Sequence, residues 1–312
     1  MYAFPTAREV RRLLESEGVS PQKRWGQNFL IDEGHATRIV DLVSQEPGLR
    51  IWEIGPGVGA LTGILLNRGC RVVAFEIDWG LTRVLSARFA GEERLELRPG
   101  DAAREWRNEL DERGAPQTII GNLPYRSAGA IIGSFLENRL VPGVQVVTVQ
   151  REVADRMVAA PGCSAYSAFS VLVQAITTPV RAFDIPPGAF FPVPEVTSSV
   201  VVLRPRAPAP RSSETLAPGT YGSGGGGRTP DTPAPEEWQL FLRLLRALFR
   251  SRRKIIRKAV DELVREEGCR RPGAEILAEC GLQPDLRAET IAPDAFLRLA
   301  RAIRRETSSR GA

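Results

Sequence analysis

Four consecutive residues, Asn122-Leu123-Pro124-Tyr125, have types and an order that could support chemistry on the amino group of a nucleic-acid base. Such an amino group is a poor nucleophile because its lone pair is delocalised into the ring. Two acceptors, the side-chain oxygen of Asn122 and the carbonyl oxygen of Leu123, can hold its two hydrogens and draw the nitrogen towards a pyramidal state. Pro124 fixes the turn, and Tyr125 offers a face to an unstacked base. The alternative is an ordinary turn, because Asn and Pro are common turn residues.

A glycine-rich turn is the second feature with chemical potential. Gly55, Gly57 and Gly59 follow an apolar strand and precede a helix. Glycines at alternate positions leave the inside of the turn without Cβ atoms, so a ligand can lie against bare backbone beside free helical N–H groups. Glu76 closes the next apolar run, where a carboxylate is placed to accept ribose hydroxyls.

Three interpretations of this unit are open. A dinucleotide-binding turn has the pattern G-x-G-x-x-G, in which the third glycine lies one position later than Gly59. The spacing here resembles instead the E-x-G-x-G-x-G signature of class I methyltransferases, whose ligand S-adenosylmethionine has no phosphate. A purely structural glycine turn is the third interpretation.

The elements that must position these residues alternate between strand and helix. Periodicity predicts helices over 60–68 and 79–89 and strands near 50–54, 71–76, 94–98, 117–121, 144–149, 168–178 and 198–204. This order predicts parallel strands with crossover helices, and so an α/β, Rossmann-like domain. Asp101 follows the third strand, where ligands lie in such sheets, although an acid there is also an ordinary helix N-cap. The aromatic and proline-rich loop from Phe190 to Val196 is a candidate second wall for a base.

Composition divides the chain into unequal parts. An N-terminal helical extension over 1–22 is expected to precede the α/β domain over 23–206. The Gly- and Pro-rich segment 207–235 is expected to be a flexible linker without a core. The smaller C-terminal domain, 236–312, begins with an apolar helical face that includes Trp238 and Phe241.

The net charge of +5 lies wholly in that C-terminal part, since residues 236–312 carry 17 Lys and Arg against 12 Asp and Glu. Arg250, Arg253 and Arg257 align on one helical face, which predicts contacts to RNA phosphates. The competing interpretation is an ordinary solvated face, because charged helical faces are normally just hydrated.

Composition also argues against several classes of protein. The four cysteines form no C-x-x-C pair and the chain has one histidine, so a structural zinc site or a disulfide framework is not expected. No apolar run approaches the roughly 20 residues of a membrane span, and the N-terminus lacks the apolar core of a signal peptide. We therefore expect a cytoplasmic protein.

Taken together, the motifs resemble the small-subunit ribosomal RNA adenine dimethyltransferases, the KsgA or RsmA family with the Dim enzymes as eukaryotic relatives. Their order and spacing match from Gln27 to about Ile303, apart from the Gly- and Pro-rich segment. The matching pieces are Gly26 to Leu30, Glu53 to Gly57, Glu76 to Asp78, Gly100 to Ala102, Gly121 to Tyr125, the phenylalanine and proline loop, Arg252 to Lys254, and Arg287 to Glu289.

The resemblance implies a fold, a cofactor and a set of site residues. The fold is a class I S-adenosylmethionine-dependent methyltransferase domain followed by a smaller, all-α RNA-binding domain. Glu76 would hold the ribose hydroxyls and Asp101 the adenine amino group of S-adenosylmethionine, while Tyr125 and Phe190 would enclose the target adenine. The residues implied to surround the cofactor are Asn28, Leu30, Gly55, Gly57, Glu76, Asp101 and Asn122.

The implied reaction transfers methyl groups to N6 of two adjacent adenines in a 3′-terminal hairpin loop of 16S rRNA, within the immature small subunit. No metal and no membrane are implied, and a monomer is expected. The alternatives are a large-subunit (23S) rRNA adenine methyltransferase of the kind that confers macrolide resistance, or a non-catalytic assembly factor. Two departures stand out: Arg126-Ser127-Ala128 replaces the family's usual Asn, small apolar residue and Ser or Thr, and the Gly- and Pro-rich segment is unusually long.

Overall fold

The computed structural model describes residues 1–19, 26–43, 46–206, 233–250 and 254–308. The chain forms two compact units, of which the first comprises Met1–Ala159 and Ile176–Pro205. The second comprises Ala160–Ala175 and Arg206–Ala312. Most of the predicted linker lies outside the described residues, so the boundaries of the four predicted segments stay predictions.

A seven-stranded sheet organises the first unit. Its strands are β2 (Arg50–Ile54), β3 (Arg71–Glu76), β4 (Leu95–Pro99), β5 (Thr118–Asn122), β6 (Val144–Gln150), β7 (Thr177–Ile185) and β9 (Ser198–Pro205), and a separate two-stranded sheet joins β1 (Phe29–Leu30) to β8 (Phe190–Phe191). The large sheet has the order β4-β3-β2-β5-β6-β9-β7. The neighbouring strands from β4 through β3, β2 and β5 to β6 all pair in parallel. Strand β9 is antiparallel to both of its neighbours, β6 and β7. The predicted α/β, Rossmann-like fold is confirmed.

Crossover helices connect the parallel strands, as the sequence order predicted. The helices of this unit are α1 (Ala7–Ser16), α2 (Glu33–Asp41), α3 (Ala60–Asn67), α4 (Trp79–Arg88), α5 (Ala102–Arg113), α6 (Ala128–Glu137) and α7 (Arg151–Val158). The strand order reverses between β2 and β5, whose carboxyl ends carry the glycine-rich turn and the Asn-Leu-Pro-Tyr turn. Ligands of open α/β sheets bind at such a reversal, so the topology brings both motifs to one place.

The strand predicted over 168–178 is wrong for most of its length. Residues Ala168–Ile176 form helix α8, and strand β7 begins only at Thr177. Ser170, Val171, Leu172, Val173 and Ala175 of this helix are all buried. A short apolar run that is buried on every side has no helical stripe, so its periodicity cannot separate a helix from a buried strand.

The second unit is helical over its described residues. It contains α9 (Pro235–Phe249), α10 (Ile256–Glu266), α11 (Gly273–Glu279) and α12 (Pro293–Ser308). The predicted apolar face of α9 is buried, with Trp238 at 2% and Phe241 at 0% exposure. Residues 160–175 join this unit because the Tyr166 hydroxyl donates to the Ile291 carbonyl at 2.7 Å and its ring lies against Phe249. None of the helices in the described part of the chain is long and apolar enough to cross a membrane.

Candidate active site

A cavity that is open to solvent lies at the carboxyl ends of β2, β3 and β5 in the first unit. All seven residues that sequence reasoning assigned to the cofactor line it. They are Asn28, Leu30, Gly55, Gly57, Glu76, Asp101 and Asn122. Leu123, Pro124 and Tyr125 line it as well. The structure therefore brings together the two motifs that lie about 65 residues apart in the chain.

The three glycines of the turn are required for different structural reasons. All have positive φ angles, +67° at Gly55, +61° at Gly57 and +84° at Gly59, which other residues rarely adopt. Gly55 and Gly57 line the cavity, but Gly59 does not. A Cβ on Gly59 would lie 2.5 Å from the Phe89 ring, so this glycine permits helix packing and exposes no backbone to a ligand. The expectation that all three glycines face the ligand is corrected accordingly.

Glu76 is fixed at the end of β3 by two backbone N–H groups. Gly57 donates to its Oε2 at 3.1 Å and Asp78 to its Oε1 at 2.9 Å. The side chain is 5% exposed, and burial raises its pKa to about 7 despite these donors. Each carboxylate oxygen has further lone pairs, so Glu76 can still accept hydrogen bonds from a ligand's hydroxyl groups.

A second buried carboxylate, Glu53, lines the same cavity and was not among the residues predicted for the site. Its Oε2 accepts a hydrogen bond from the Thr62 hydroxyl at 2.7 Å. Burial, together with the charge of Glu76, raises its pKa to about 7. An acid inside the apolar strand Ile51–Ile54 was the sequence signal for this residue, since buried carboxylates need a reason.

Asn122, at the end of β5, presents a free acceptor. Its side-chain nitrogen donates to the Asn28 carbonyl at 2.8 Å, which fixes the orientation of the amide. Its Oδ1 is buried and has no hydrogen-bond partner among the described residues. A buried acceptor without a partner costs free energy, about 1–3 kcal/mol, unless a ligand supplies a donor. This is the geometry that binding an amino group requires.

Gly121 explains why the two motifs can approach each other. A Cβ at this position would lie 2.4 Å from the Ile54 carbonyl oxygen, at the carboxyl end of the neighbouring strand β2. Backbone does not yield as a flexible side chain does, so only glycine fits between the strand ends. The glycine before Asn122 therefore allows β2 and β5 to converge beneath the cavity.

Tyr125 follows in the loop between β5 and α6, and its side chain is half-buried. Its hydroxyl forms a hydrogen bond with the Ser198 hydroxyl, and burial raises the pKa of the phenol, so the group stays neutral. Arg126 beside it is exposed. The sequence had assigned a role to the ring of Tyr125 only, and the partner of its hydroxyl emerges from the structure.

Phe190 does not lie where the base pocket was predicted. Its ring is 0% exposed and belongs to the core on one face of the sheet, with Leu30 as its β-bridge partner. It does not line the cavity, whereas its neighbour Phe191 is partly exposed and lies under the guanidinium of Arg11. A ring buried on all sides has no free face for a base, so the position of Phe190 in this conformation does not support its predicted role. Residue 190 occupies an inward position of β8, which the sequence pattern did not reveal.

Asp101 caps a helix and also lies in the lining of the cavity. Its side chain caps α5 by accepting from the Ala103 N–H at 2.9 Å, and the residue also lines the cavity. Because a carboxylate has about four acceptor positions, capping a helix leaves capacity for a ligand's amino group.

The predicted RNA-binding arginines lie in the second unit. Arg250 and Arg257 are exposed, and Arg257 lies 3.7 Å from Asp261. Arg253 lies outside the described residues. Several other arginines of this unit are paired with carboxylates, such as Arg243 with Glu266 and Arg271 with Glu279. Among the described residues, no group of three or more His, Cys, Asp or Glu side chains is placed to hold a metal ion.

Comparison with known proteins identifies relatives over nearly the whole chain. The ribosomal RNA small subunit methyltransferase A of Treponema denticola is 33% identical, over 96% of this chain and 95% of that protein. The protein of the same name from Geobacter metallireducens is 34% identical, over 93% and 98% of the two chains. These similarities extend through both compact units.

Solved structures share the fold at lower identity. A dimethyladenosine transferase from Plasmodium falciparum matches with a TM-score of 0.68 and 20% identity, over 89% of this chain and 98% of the other. The 23S rRNA methyltransferase ErmE matches with a TM-score of 0.58 and 22% identity, over 89% and 100%. The sequence model for ribosomal RNA adenine dimethylase matches residues 19–217, which include every residue of the cavity described above. The chain therefore belongs to the ribosomal RNA adenine dimethylase family.

Proposed function

We propose that this protein transfers methyl groups from S-adenosylmethionine to N6 of two adjacent adenines near the 3′ end of small-subunit rRNA. The observation that carries the proposal is the buried, unpartnered Oδ1 of Asn122, a residue that lines the same cavity as Gly57 and Glu76. That arrangement joins an acceptor for an amino group to a carboxylate for ribose hydroxyls within one site.

The residues of the cavity fit S-adenosylmethionine. Gly55 and Gly57 leave the floor without side chains, and the Glu76 carboxylate is oriented by two backbone donors. Glu76 would hold the ribose hydroxyls, and Asp101, whose side chain also caps α5, would accept from the adenine amino group. The cofactor, when bound, supplies an activated methyl group on a sulfonium. Two acids with raised pKa near a positively charged ligand favour its binding once they are ionised.

The protein's part in the reaction is to prepare the amino group of the target base. Asn122 Oδ1 and the Leu123 carbonyl would accept its two hydrogens, which draws electron density onto the nitrogen. Pro124 restricts the turn that presents them, and Tyr125 supports the face of the unstacked base. When the nitrogen gains the methyl group it must lose one proton, and the openness of the cavity gives that proton access to water. Before a second methyl group can be transferred to the same nitrogen, the monomethylated base must bind at the same two acceptors. Its nitrogen then has only one hydrogen left to donate to them.

Sequence relationships favour the small ribosomal subunit over the large one as the source of the substrate RNA. Relatives named for the small subunit are 33% and 34% identical along nearly the whole chain. The large-subunit enzyme ErmE shares the fold, but at 22% identity its similarity carries no information about the substrate. The exposed Arg250 and Arg257 of the helical unit, with Arg253, would contact phosphates of the folded RNA outside the cavity. A monomer located in the cytoplasm remains our expectation.

The test is methylation of ribosomal particles. Immature small subunits and, separately, large subunits from a strain that lacks this activity would be incubated with the protein and methyl-labelled S-adenosylmethionine. Nuclease digestion and mass spectrometry would then locate N6,N6-dimethyladenine. We expect two dimethylated adenines in the 3′-terminal hairpin of 16S rRNA and no label in 23S rRNA. Label in 23S rRNA would favour the large-subunit alternative, and binding without transfer would favour a non-catalytic assembly factor.

A further inference from the structure

A serine far along the chain contacts the residue that is expected to support the target base. The hydroxyl groups of Tyr125 and Ser198 are hydrogen-bonded to each other, although 73 residues separate them. Ser198 is 0% exposed and is the first residue of β9. We propose that Ser198 is a positioning residue: its hydroxyl holds the Tyr125 ring in the orientation against which the target adenine lies. This inference rests on the proposed function, because it presupposes a base at Tyr125.

The two ends of this hydrogen bond differ in rigidity. Tyr125 lies in a loop between β5 and α6, where no ladder of strand hydrogen bonds restrains it. Ser198 is held from both sides, since it pairs with Gln150 of β6 and with Ile185 of β7. The bond therefore connects a loop side chain to the interior of the sheet. A residue fixed by its neighbours in this way can restrain the position of the tyrosine side chain.

Gly26 lies close to the backbone of Tyr125, since a Cβ added at this glycine would lie 3.4 Å from the Tyr125 nitrogen. This proximity involves the backbone of Tyr125 and not its ring. Burial raises the pKa of the Tyr125 hydroxyl, so the phenol remains protonated and can donate at neutral pH. The bond to Ser198 is thus a polar contact that fixes the position of the far end of the Tyr125 ring.

Orientation matters because methyl transfer depends on the alignment of the reacting atoms. A small misplacement of a bound reactant can cost about a hundredfold in rate. A neutral hydrogen bond contributes about 1 kcal/mol, which corresponds to roughly five- to tenfold. Loss of the Ser198 hydroxyl should therefore lower the rate of methyl transfer by about five- to tenfold without weakening cofactor binding.

Ser199 provides a matched control in the next position of the same strand. It is also 0% exposed, and its hydroxyl donates to Asp184 at 2.6 Å. Ser199→Ala removes one buried hydroxyl and one hydrogen bond from β9, as Ser198→Ala does, but it leaves Tyr125 untouched. A purely structural role predicts equal effects of the two substitutions.

The experiment compares the wild type, Ser198→Ala, Ser199→Ala, Tyr125→Phe and the Ser198→Ala/Tyr125→Phe double variant. Methyl transfer to immature small subunits is measured at saturating S-adenosylmethionine, together with S-adenosylhomocysteine affinity by calorimetry and the melting temperature. We expect kcat to fall about five- to tenfold in Ser198→Ala and Tyr125→Phe, with no further fall in the double variant. Ser198→Thr, which keeps the hydroxyl, should recover most of the rate, and cofactor affinity should change less than twofold throughout.

Two results would overturn the inference, and they are distinguishable from failure of the proposed function. If the wild type is active and Ser198→Ala behaves like Ser199→Ala, Ser198 has no positioning role. If the effects of Ser198→Ala and Tyr125→Phe multiply in the double variant, the two hydroxyl groups act separately. A wild-type protein that transfers no methyl group to small subunits would refute the proposed function, and this inference with it.

Discussion

The cavity of the first unit and the arginine-rich surface of the second use charge in opposite ways. In the cavity, Glu53 and Glu76 are almost wholly buried, and Asn122 Oδ1 lacks a partner. On the helical unit, Arg250 and Arg257 are exposed to solvent, where salt screens their charge. Buried polar atoms act strongly over a few ångströms, whereas exposed cations attract a polyanion weakly and at longer range. Chemistry and RNA affinity should therefore respond to different substitutions.

The largest effect should come from the acceptor in the cavity. Asn122→Ala removes Oδ1, and we expect turnover to fall at least about a hundredfold, as for removal of one preorganised polar group at a reacting centre. Affinity for S-adenosylhomocysteine should fall much less. Single-turnover methylation and calorimetry measure the two quantities, with the exposed surface substitution Asn138→Ala as control. A variant that keeps normal turnover would show that Asn122 only shapes the turn.

Loss of the Glu76 carboxylate should have the next largest effect, on cofactor binding. A charge-assisted hydrogen bond contributes about 1.5–3 kcal/mol, so Glu76→Ala should weaken S-adenosylhomocysteine binding about tenfold or more. Calorimetry at pH 8 measures this change, and the exposed acid Glu93 supplies the control Glu93→Ala. Glu76 is a sharper test than Gly57, because a Cβ on Gly57 would also lie 2.9 Å from Phe29 and disturb the protein itself. Unchanged affinity would remove Glu76 from the cofactor site.

The two buried acids, Glu53 and Glu76, should make the stability of the protein depend on pH, whereas acids on the exposed surface should not. Burial raises the pKa of both Glu53 and Glu76 from 4.5 to about 7, so the folded state binds more protons than the unfolded state between these values. The free energy of unfolding should therefore fall as pH rises from about 4.5 through 7. We expect the melting temperature of the ligand-free protein to be lower at pH 8 than at pH 5, because each unit of pKa shift in either acid corresponds to about 1.4 kcal/mol of stability.

Substitution can assign that pH dependence to the pair. Glu53→Gln is close in shape and stays neutral, so it should flatten the change in melting temperature with pH. Glu93→Gln, on the surface, should leave the change as it is in the wild type. Equal pH profiles for all three proteins would mean that the buried pair does not titrate in this range.

The smallest effect should come from the arginine surface, and it should appear in the salt dependence of RNA binding. Each phosphate contact releases roughly 0.7–0.9 counterions, so Arg250→Ala with Arg257→Ala should lower the slope of log affinity against log salt by somewhat less than two. Arg253→Ala should lower it further by less than one. Filter binding to small subunits between low and moderate salt measures the slope, and cofactor affinity should stay unchanged.

A charge-matched control separates phosphate contacts from net charge. Arg243 and Arg271 lie in the same helical unit but are paired with carboxylates, to Glu266 at 3.0 Å and Glu279 at 2.7 Å respectively. Replacing both by alanine removes the same charge and should leave the slope nearly unchanged. If both double variants give the wild-type slope, the arginine face is only hydrated, and the RNA surface should be sought around Lys23, Arg24 and Arg126.

The sequence by itself determined the parts of this protein that depend on local pattern. Spacing and residue type were enough to predict the succession of strands and helices along the chain and the placement of Asn122 and Glu76 at strand ends. They also gave the charge excess after residue 235. These features are local, because a strand end, a turn and a net charge need no knowledge of distant neighbours. The pattern failed at 168–176, where burial on every side of a helix removes the periodicity.

Only the tertiary structure decided which atoms meet. That Gly59 is required by Phe89, that Phe190 lies in the core, and that Glu53 shares the cavity with Glu76 each depend on how separate elements pack. The hydrogen bond between Tyr125 and Ser198 joins the loop after β5 to the first residue of β9. It depends on the register between β9 and β6, which no local pattern specifies. Sequence can indicate which residues are able to act, but contacts between residues distant in the chain follow from sheet register and packing.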